Sequence, residues 1–410
     1  MKVLVTFAIA FIMLAGTAFA ADTLTDPATL LQIIEEQNAT IEELASRVEA
    51  LEAALTSQHE AVIEVKEEQA KTDWTDKVSL KGDLRYRHEL IDQEGKDERN
   101  RQRIRARLGI TGQINEELTA GFQLASGTDD PVSTNETLSG GFSTKDIKLD
   151  RAYVDWALPG AKGINLVAGK MATPFYTPNG SDLMWDGDLN PEGLALKYKN
   201  TKDDTTTFGS LAALWGQERS STADSLLYAG QFGLTKKLNS TDKLTFGGGL
   251  YYWTSMENYL PLYDDGDSFG NWTNIDGEYE YGFNIWEVFA DYTFKAGEQP
   301  VVVYGNYLQN TEADEEDTGW IFGVKYGAVK NIGDWDAEYN YRMLEANAVV
   351  GAFCDSDFAG GGTDGKGHKV KFGYQVARNA KLGLTYFVNE LGADGGDDYN
   401  RLQLDLETKF

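Results

Sequence analysis

From Val78 to Phe410, apolar and polar residues alternate in run after run, and a two-residue period leaves a chain few ways to fold. Val78, Leu80, Gly82, Leu84, Tyr86 and His88 alternate with Ser79, Lys81, Asp83, Arg85, Arg87 and Glu89. Ile104, Ala106, Leu108 and Ile110 alternate with Arg103, Arg105, Arg107 and Gly109. Successive side chains of a strand point to opposite faces, so each run reads as a strand with one apolar and one polar face. Sixteen such segments follow one another, near 78–90, 101–113, 118–126, 147–158, 164–172, 193–199, 206–217, 226–234, 243–253, 281–294, 301–308, 318–328, 335–345, 368–376, 381–389 and 399–410. Their connections alternate as well. Short ones centre on Asn115, Gly160, Lys202, Asn239, Gly297, Asn331 and Asn379. Long polar ones cover 91–100, 127–146, 173–192, 218–225, 254–280, 309–317, 346–367 and 390–398. A sandwich in water has no reason to place a long loop on every second connection. A membrane barrel has one, because its short turns and long loops emerge on opposite sides. Segments near ten residues suit a tilted crossing, and a closed barrel leaves no unpaired edge in lipid. The fold predicted for residues 73–410 is all-β: a sixteen-stranded antiparallel transmembrane β-barrel.

The first 72 residues follow other rules. Lys2, an apolar run from Val3 to Ala15 and the ending Ala18-Phe19-Ala20 predict a secretory signal peptide over residues 1–20. Asp26-Pro27 then reads as a helix start. Ile34, Ile41, Val48, Leu55 and Val62 recur every seven residues, with Leu30, Gln37, Leu44, Leu51, Gln58 and Val65 at the matching d positions. All but the two glutamines are apolar, which predicts a coiled coil over residues 21–72. Arg47-Val48-Glu49-Ala50-Leu51-Glu52 sets Arg at g and Glu at e, so Arg47 and Glu52 can pair between parallel chains, the pattern of parallel trimers. Ile34, Ile41, Leu44, Arg47, Val48, Leu51, Glu52 and Leu55 are the trimerisation residues this implies, and periodicity is lost near Lys71-Thr72-Asp73.

Composition removes other classes. With 65 acids against 37 bases and a formal charge of −28, the chain lacks the excess of basic residues that phosphate binding requires, so no nucleic-acid partner is expected. A mean hydropathy of −0.41 excludes a bundle of membrane-spanning helices. Cys354 is the single cysteine, so no intramolecular disulfide or Cys-based metal site can form. His59, His88 and His368 lie far apart, which argues against a metal centre or a catalytic triad. No catalytic residue, metal or cofactor is predicted, and an outer-membrane hydrolase ranks last among the functions.

On the final segment Leu402, Leu404, Leu406 and Phe410 share one face, opposite Arg401, Gln403, Asp405 and Glu407. An alternating terminal strand ending in Phe resembles the assembly signal of bacterial outer-membrane proteins, which implies the barrel-assembly machinery as a partner. Together with Lys81-Gly82-Asp83-Leu84-Arg85-Tyr86-Arg87, Arg101-Gln102-Arg103-Ile104-Arg105-Ala106-Arg107-Leu108 and Gly169-Lys170-Met171-Ala172-Thr173-Pro174-Phe175, it makes residues 73–410 resemble the sixteen-stranded trimeric porins of Gram-negative outer membranes. The chain after residue 20 resembles the porin group that begins with a periplasmic coiled coil. The resemblance implies a homotrimer in the outer membrane, among lipid and lipopolysaccharide, with its helix in the periplasm. It implies a water-filled channel for passive diffusion of small hydrophilic solutes. The alternative is a structural envelope protein whose coiled coil spaces or tethers the membrane. Only Ala21 to Asp26 lie between leader and heptads, too little for a peptidoglycan-binding domain, so the pore ranks above the tether.

The polar faces nominate a site. Lys81, Arg85, Arg87, Arg103, Arg105 and Arg107 would point inward as a basic wall, with Arg101 at its rim and Arg151 and Tyr153 joining from the fourth strand. A blander reading has these residues pair with Asp83, Glu89 and Asp155 and hold the barrel's shape. In the resembled porins the third long loop folds inward. Here that loop is 173–192, with Asp182, Asp186 and Asp188, though it lacks the Pro-Glu-Phe-Gly-Gly signature of general enterobacterial porins. These acids opposite the arginines would set a transverse field. The helix and outer-loop acids would lie beyond a Debye length, about 8 Å, of the constriction, so weak anion preference or near neutrality is expected despite the acid excess. Glu312, Asp314, Glu315, Glu316 and Asp317, and Asp394, Asp397 and Asp398, form acidic loops that could hold divalent cations bridging lipopolysaccharide. Gly360 to Lys366 nearly spells a phosphate-binding loop, but Gly367 stands where Ser or Thr is required, and it reads as a flexible surface loop.

Overall fold

The computed structural model describes residues 27–72, 77–264 and 266–410; the leader read at 1–20 lies outside them. Two units separate between Asp76 and Lys77, and each is taken by itself.

Among the described residues the first unit is the helix α1 (Pro27–Thr72). No Gly or Pro interrupts it after Pro27, and Ala, Leu and Glu dominate, so propensity alone favours helix throughout. Its 46 residues span about 69 Å. Ile34, Ile41, Leu44, Val48, Leu51, Leu55 and Val62 remain 46–69 % exposed, an apolar stripe that this chain does not cover. Arg47 reaches Glu43 on its own helix at 3.8 Å, with both side chains exposed.

The second unit is the barrel. Its strands are β1 (Val78–Gln93), β2 (Arg99–Gln113), β3 (Leu118–Ser126), β4 (Ile147–Ala157), β5 (Ile164–Lys170), β6 (Glu192–Lys202), β7 (Thr205–Gln217) and β8 (Ser225–Lys237), then β9 (Lys243–Trp253), β10 (Asn284–Ala296), β11 (Gln299–Asn310), β12 (Thr318–Gly327), β13 (Trp335–Leu344), β14 (Gly365–Ala377), β15 (Ala380–Leu391) and β16 (Asp398–Lys409). Each pairs antiparallel with the next, and β16 returns to β1 from Asp83↔Lys409 to Gln93↔Tyr399, which closes the sheet. The sixteen segments read from the sequence are these strands, within a few residues at each end. A further two-residue strand, Glu136–Thr137, pairs with Arg103 and Ile104 of β2 beyond the end of β3.

The alternation becomes an inside and an outside. On β16, Arg401 and Gln403 are buried while Leu404 and Leu406 are exposed. Outward aromatic residues form two bands. Trp286–Tyr307 and Trp320–Tyr341 lie toward the long loops, and Tyr326–Trp335 and Trp335–Phe372 toward the short turns, with centroids 5.3–6.0 Å apart. This is the girdle arrangement of a lipid-facing barrel. Phe410 exchanges backbone hydrogen bonds with Gly82, each 3.0 Å, and its ring covers the place where a Gly82 side chain would stand.

The interior departs from the expectation of a polar lumen all round. Inward positions from β6 to β13 carry Ala195, Ala212, Leu214, Leu227, Ala229, Tyr251, Ile285, Tyr304, Leu308, Ile321 and Leu344, a wall of small, aliphatic and aromatic residues. Such a wall cannot face water without cost, and two long connections fold inward to cover it. The β5–β6 connection buries Met171, Phe175, Leu183, Met184 and Trp185, and the β13–β14 connection buries Ala348, Val349, Val350, Ala352 and Cys354. The segment from Gly360 is therefore no loose surface loop. Thr363 is buried and donates to the Ala346 carbonyl at 2.9 Å, and Gly362 (φ +84°) lies against the Phe269 carbonyl where no side chain fits. The β3–β4 connection also enters, burying Val132 to Asn135. Among the described residues, no group of three or more carboxylate, His or Cys side chains is placed to hold a metal.

Candidate functional site

With most of the β6–β13 wall covered, the charged interior collects on β1, β2 and β14 to β16 and at the short-turn ends of β12 and β13. There a passage of about 320 Å³ runs between the strand walls and the inward connections. Seven bases and nine acids line it. Arg85 and Arg87 come from β1, Arg105 from β2, Lys325 from β12, Lys369 and Lys371 from β14, and Lys381 from β15. The acids are Asp182, Asp186 and Asp188 from the β5–β6 connection, Asp355 and Asp357 from the β13–β14 connection, Asp336 and Glu338 from β13, and Asp405 and Glu407 from β16.

Most of the bases are held by carboxylates. Arg87 grips Asp405 through two bonds of 2.7 and 2.8 Å and reaches Asp357 at 3.0 Å. Arg105 and Arg107 share Asp83, each at 2.8 Å, and Arg107 also binds Asp188 at 2.9 Å. Arg101 and Arg401 converge on Glu89, which is fully buried, at 2.6 and 2.7 Å, and Arg401 adds Asp357 at 2.6 Å. Lys369 lies between Asp355 (3.0 Å) and Asp182 (3.5 Å). Two bases of the lining make no ion pair among the described residues. Arg85 donates to the Asn135 side-chain oxygen at 2.5 Å, and Lys371 lies near Asp182, Glu338 and Asp355 without closing a salt bridge to any of them.

The inward connections are pinned to one another where they meet. The Asp186 N–H donates to the Phe353 carbonyl (2.9 Å), the Ser356 N–H to the Asp186 carboxylate (3.2 Å), and the Ser356 hydroxyl to the Val132 carbonyl (3.2 Å). The Thr134 hydroxyl donates to Asp188 at 3.1 Å. Burial, and then the neighbouring carboxylates of Asp355, Asp182 and Asp188, push the Asp186 carboxyl well above its ordinary range. Burial acts the same way on Asp357, but Arg401 and Arg87 outweigh it and hold that group well below the range.

The residues nominated by sequence thus divide. Arg85, Arg87, Arg105, Asp182, Asp186 and Asp188 come together on the passage. Arg107 supports it through Asp188. Arg101 and Arg103 lie outside its lining. Arg101 binds Glu89, and Arg103 donates to Ser133 and the Asn135 carbonyl, so both hold neighbouring structure in place. Lys81, Arg151 and Tyr153 line a separate crevice with Lys409, and Arg151 donates to Asn190 at 2.6 Å. Asp83 and Glu89 do pair with the arginines, but Asp155 instead accepts from Asn165 at 2.6 Å. Sequence reading passed over Lys325, Lys369, Lys371, Lys381, Asp355 and Asp357. The alternation Lys369-Val370-Lys371 carried a signal for two of them, and nothing local marks the loop acids as interior.

Comparison with known proteins follows this geometry. A family model described as "Putative porin" matches residues 91–262 and 273–410. Among solved structures the chain is similar to OprB of Pseudomonas putida, with 11% identity and a TM-score of 0.57 over 83% of this chain and 96% of that one. It is also similar to OmpF of Salmonella typhi (13%, 0.48, over 81% and 97%) and to the outer-membrane channel DcaP of Acinetobacter baumannii (14%, 0.47, over 81% and 97%). Identities this low speak to fold, and the OprB match supports the barrel. No curated protein matches the sequence.

Proposed function

Because the chain belongs to the putative-porin family and is an outer-membrane channel protein, we propose that it passes small hydrophilic solutes and ions by passive diffusion through a water-filled pore. The observation that carries this reading is the passage of about 320 Å³ lined on both sides by charge. Fixed charges of both signs at close quarters let hydrated solutes exchange water for protein contacts without a deep trap. In this reading Arg85, Arg87 and Arg105 face Asp182, Asp186 and Asp188 across the narrow part, Arg107 braces the acidic loop, and Lys369 and Lys371 extend the basic side. Lys81, Arg101, Arg103, Arg151 and Tyr153 act as supports. Residues 1–20 serve as the cleaved leader, and α1 associates with two further copies in the periplasm through its exposed stripe. Phe410 presents the closing strand to the assembly machinery, with lipid and lipopolysaccharide around the barrel. Single-channel recording in a planar bilayer tests the central claim. Discrete conductance steps from the full chain after leader removal are expected, and an inserted barrel without conductance would refute it. The second reading, an envelope spacer or tether, rests on the length and exposed stripe of α1. It predicts weakened spacing or attachment of the outer membrane when residues 27–70 are removed, with conductance intact.

A further inference from the structure

On the long-loop side of the inward β5–β6 connection lies a second cavity, of about 830 Å³, distinct from the charged passage. Its floor is aromatic. Phe175 and Trp185 stack at 5.8 Å, and Trp253 and Phe353 stack at 5.6 Å with planes 15° apart. Its rim is acidic, carrying Asp129, Asp130, Asp150 and Glu192. The two lysines present are already engaged: Lys170 binds Glu192 at 3.0 Å, and Lys148 approaches Asp146 at 3.6 Å. Asp150 accepts hydrogen bonds from the neutral amides of Gln123 and Asn190, and Asp129 and Asp130 make no salt bridge among the described residues, although Arg103 lies near enough to act on Asp130. Trp185 is 7 % exposed, and its indole N–H turns to the buried Tyr251 hydroxyl, which does not line the cavity.

We propose that this cavity is a binding site for a small organic cation: an ammonium group on an apolar or aromatic body. The volume suits a molecule of that kind, which would bury its apolar part against the rings. The ammonium sits near Asp129 and Asp130, where carboxylates and the faces of aromatic rings both favour positive charge. An anion meets the acidic rim instead, and a neutral ring gains only the floor. The proposal rests on the channel reading solely in placing the cavity on the solute's route; binding itself does not require conductance.

Three probes of nearly one shape separate these cases: tyramine (cationic), tyrosol (neutral) and 4-hydroxyphenylacetate (anionic). Calorimetric titration of the full chain in detergent should show tyramine binding about tenfold more tightly than either of the others. Asp129→Asn with Asp130→Asn should bring tyramine to the level of tyrosol. Equal affinities for the three probes, no tyramine binding, or an unchanged tyramine affinity in the Asp variant would each overturn the proposal. Single-channel recording of the same protein keeps the two readings apart. Binding without conductance sinks the channel alone, and conductance without tyramine binding sinks this site alone.

Discussion

At the scale of single residues, the bases that line the passage are neutralised by carboxylates, with two exceptions among the described residues. Asp83 holds Arg105 and Arg107, and Asp405 holds Arg87, so these arginines present little free charge to a passing ion. Arg85 and Lys371 are unpaired and line the passage. Arg85→Ala should therefore lower the anion-to-cation permeability ratio by roughly threefold, measured as reversal potential in a salt gradient. The pair Arg103→Ala and Arg105→Ala should do less, because Arg103 lies outside the lining and Arg105 is already matched by Asp83. Equal or larger shifts from the pair would contradict this. Asp186 gives a pH dependence. Its carboxyl is raised by burial and by Asp355, Asp182 and Asp188, so it takes up its proton at higher pH than an ordinary Asp as acid is added. Each proton gained removes a negative charge from the passage. On acid titration the reversal potential should begin to move toward anions at a higher pH than ordinary carboxylates titrate, and Asp186→Asn should remove that early movement.

At the scale of elements, barrel closure and the inward connections each rest on a specific fit. The Phe410 ring lies over Gly82, and a side chain at position 82 would also meet the Arg107 carbonyl at 2.7 Å. Gly82→Val should force the ring away and lower the amount of barrel reaching the outer membrane, as should Phe410→Ala, without changing the conductance of molecules that insert. Quantitative blotting of outer-membrane fractions reads this, and undiminished levels in both variants would count against it. The β13–β14 connection carries Asp355 and Asp357 onto the passage. Deleting residues 352–361 should raise single-channel conductance at least about twofold by removing that lining. Deleting residues 312–316, on a connection whose acids lie off the passage, should leave conductance nearly unchanged.

At the scale of the whole molecule, the open question of assembly belongs to α1. Its apolar stripe stays 46–69 % exposed, and heptads of this kind are stabilised by burying a and d residues between helices. Light scattering of the detergent-solubilised protein should give three protein masses, and a monomer at micromolar concentration would refute trimerisation through this helix. Removing residues 27–70 should leave barrels that conduct but associate less stably, which separates the helix's part in assembly from any contribution of the barrel surface.

What the sequence determined was the barrel itself, its strand count, its two faces and the position of its closing Phe. Each strand meets lipid on one side and the interior on the other, so a local period of two is sufficient to read Leu402, Leu404 and Leu406 as outward and Arg401 and Gln403 as inward. The same rule put Arg85, Arg87 and Arg105 inside. The tertiary structure decided which loops follow them. The β13–β14 connection enters because Tyr251, Leu308 and Leu344 form an apolar wall that needs a cover. The run Ala348-Val349-Val350-Gly351-Ala352-Phe353-Cys354 is the local hint of this, but an apolar run in a loop does not say which wall it covers. Charge pairing was equally hidden, since Arg87 meets Asp357, and Glu89 meets Arg401, only once distant strands and a loop share one lumen. A two-residue period fixes the face of a side chain, but its electrostatic neighbour is a property of the closed barrel.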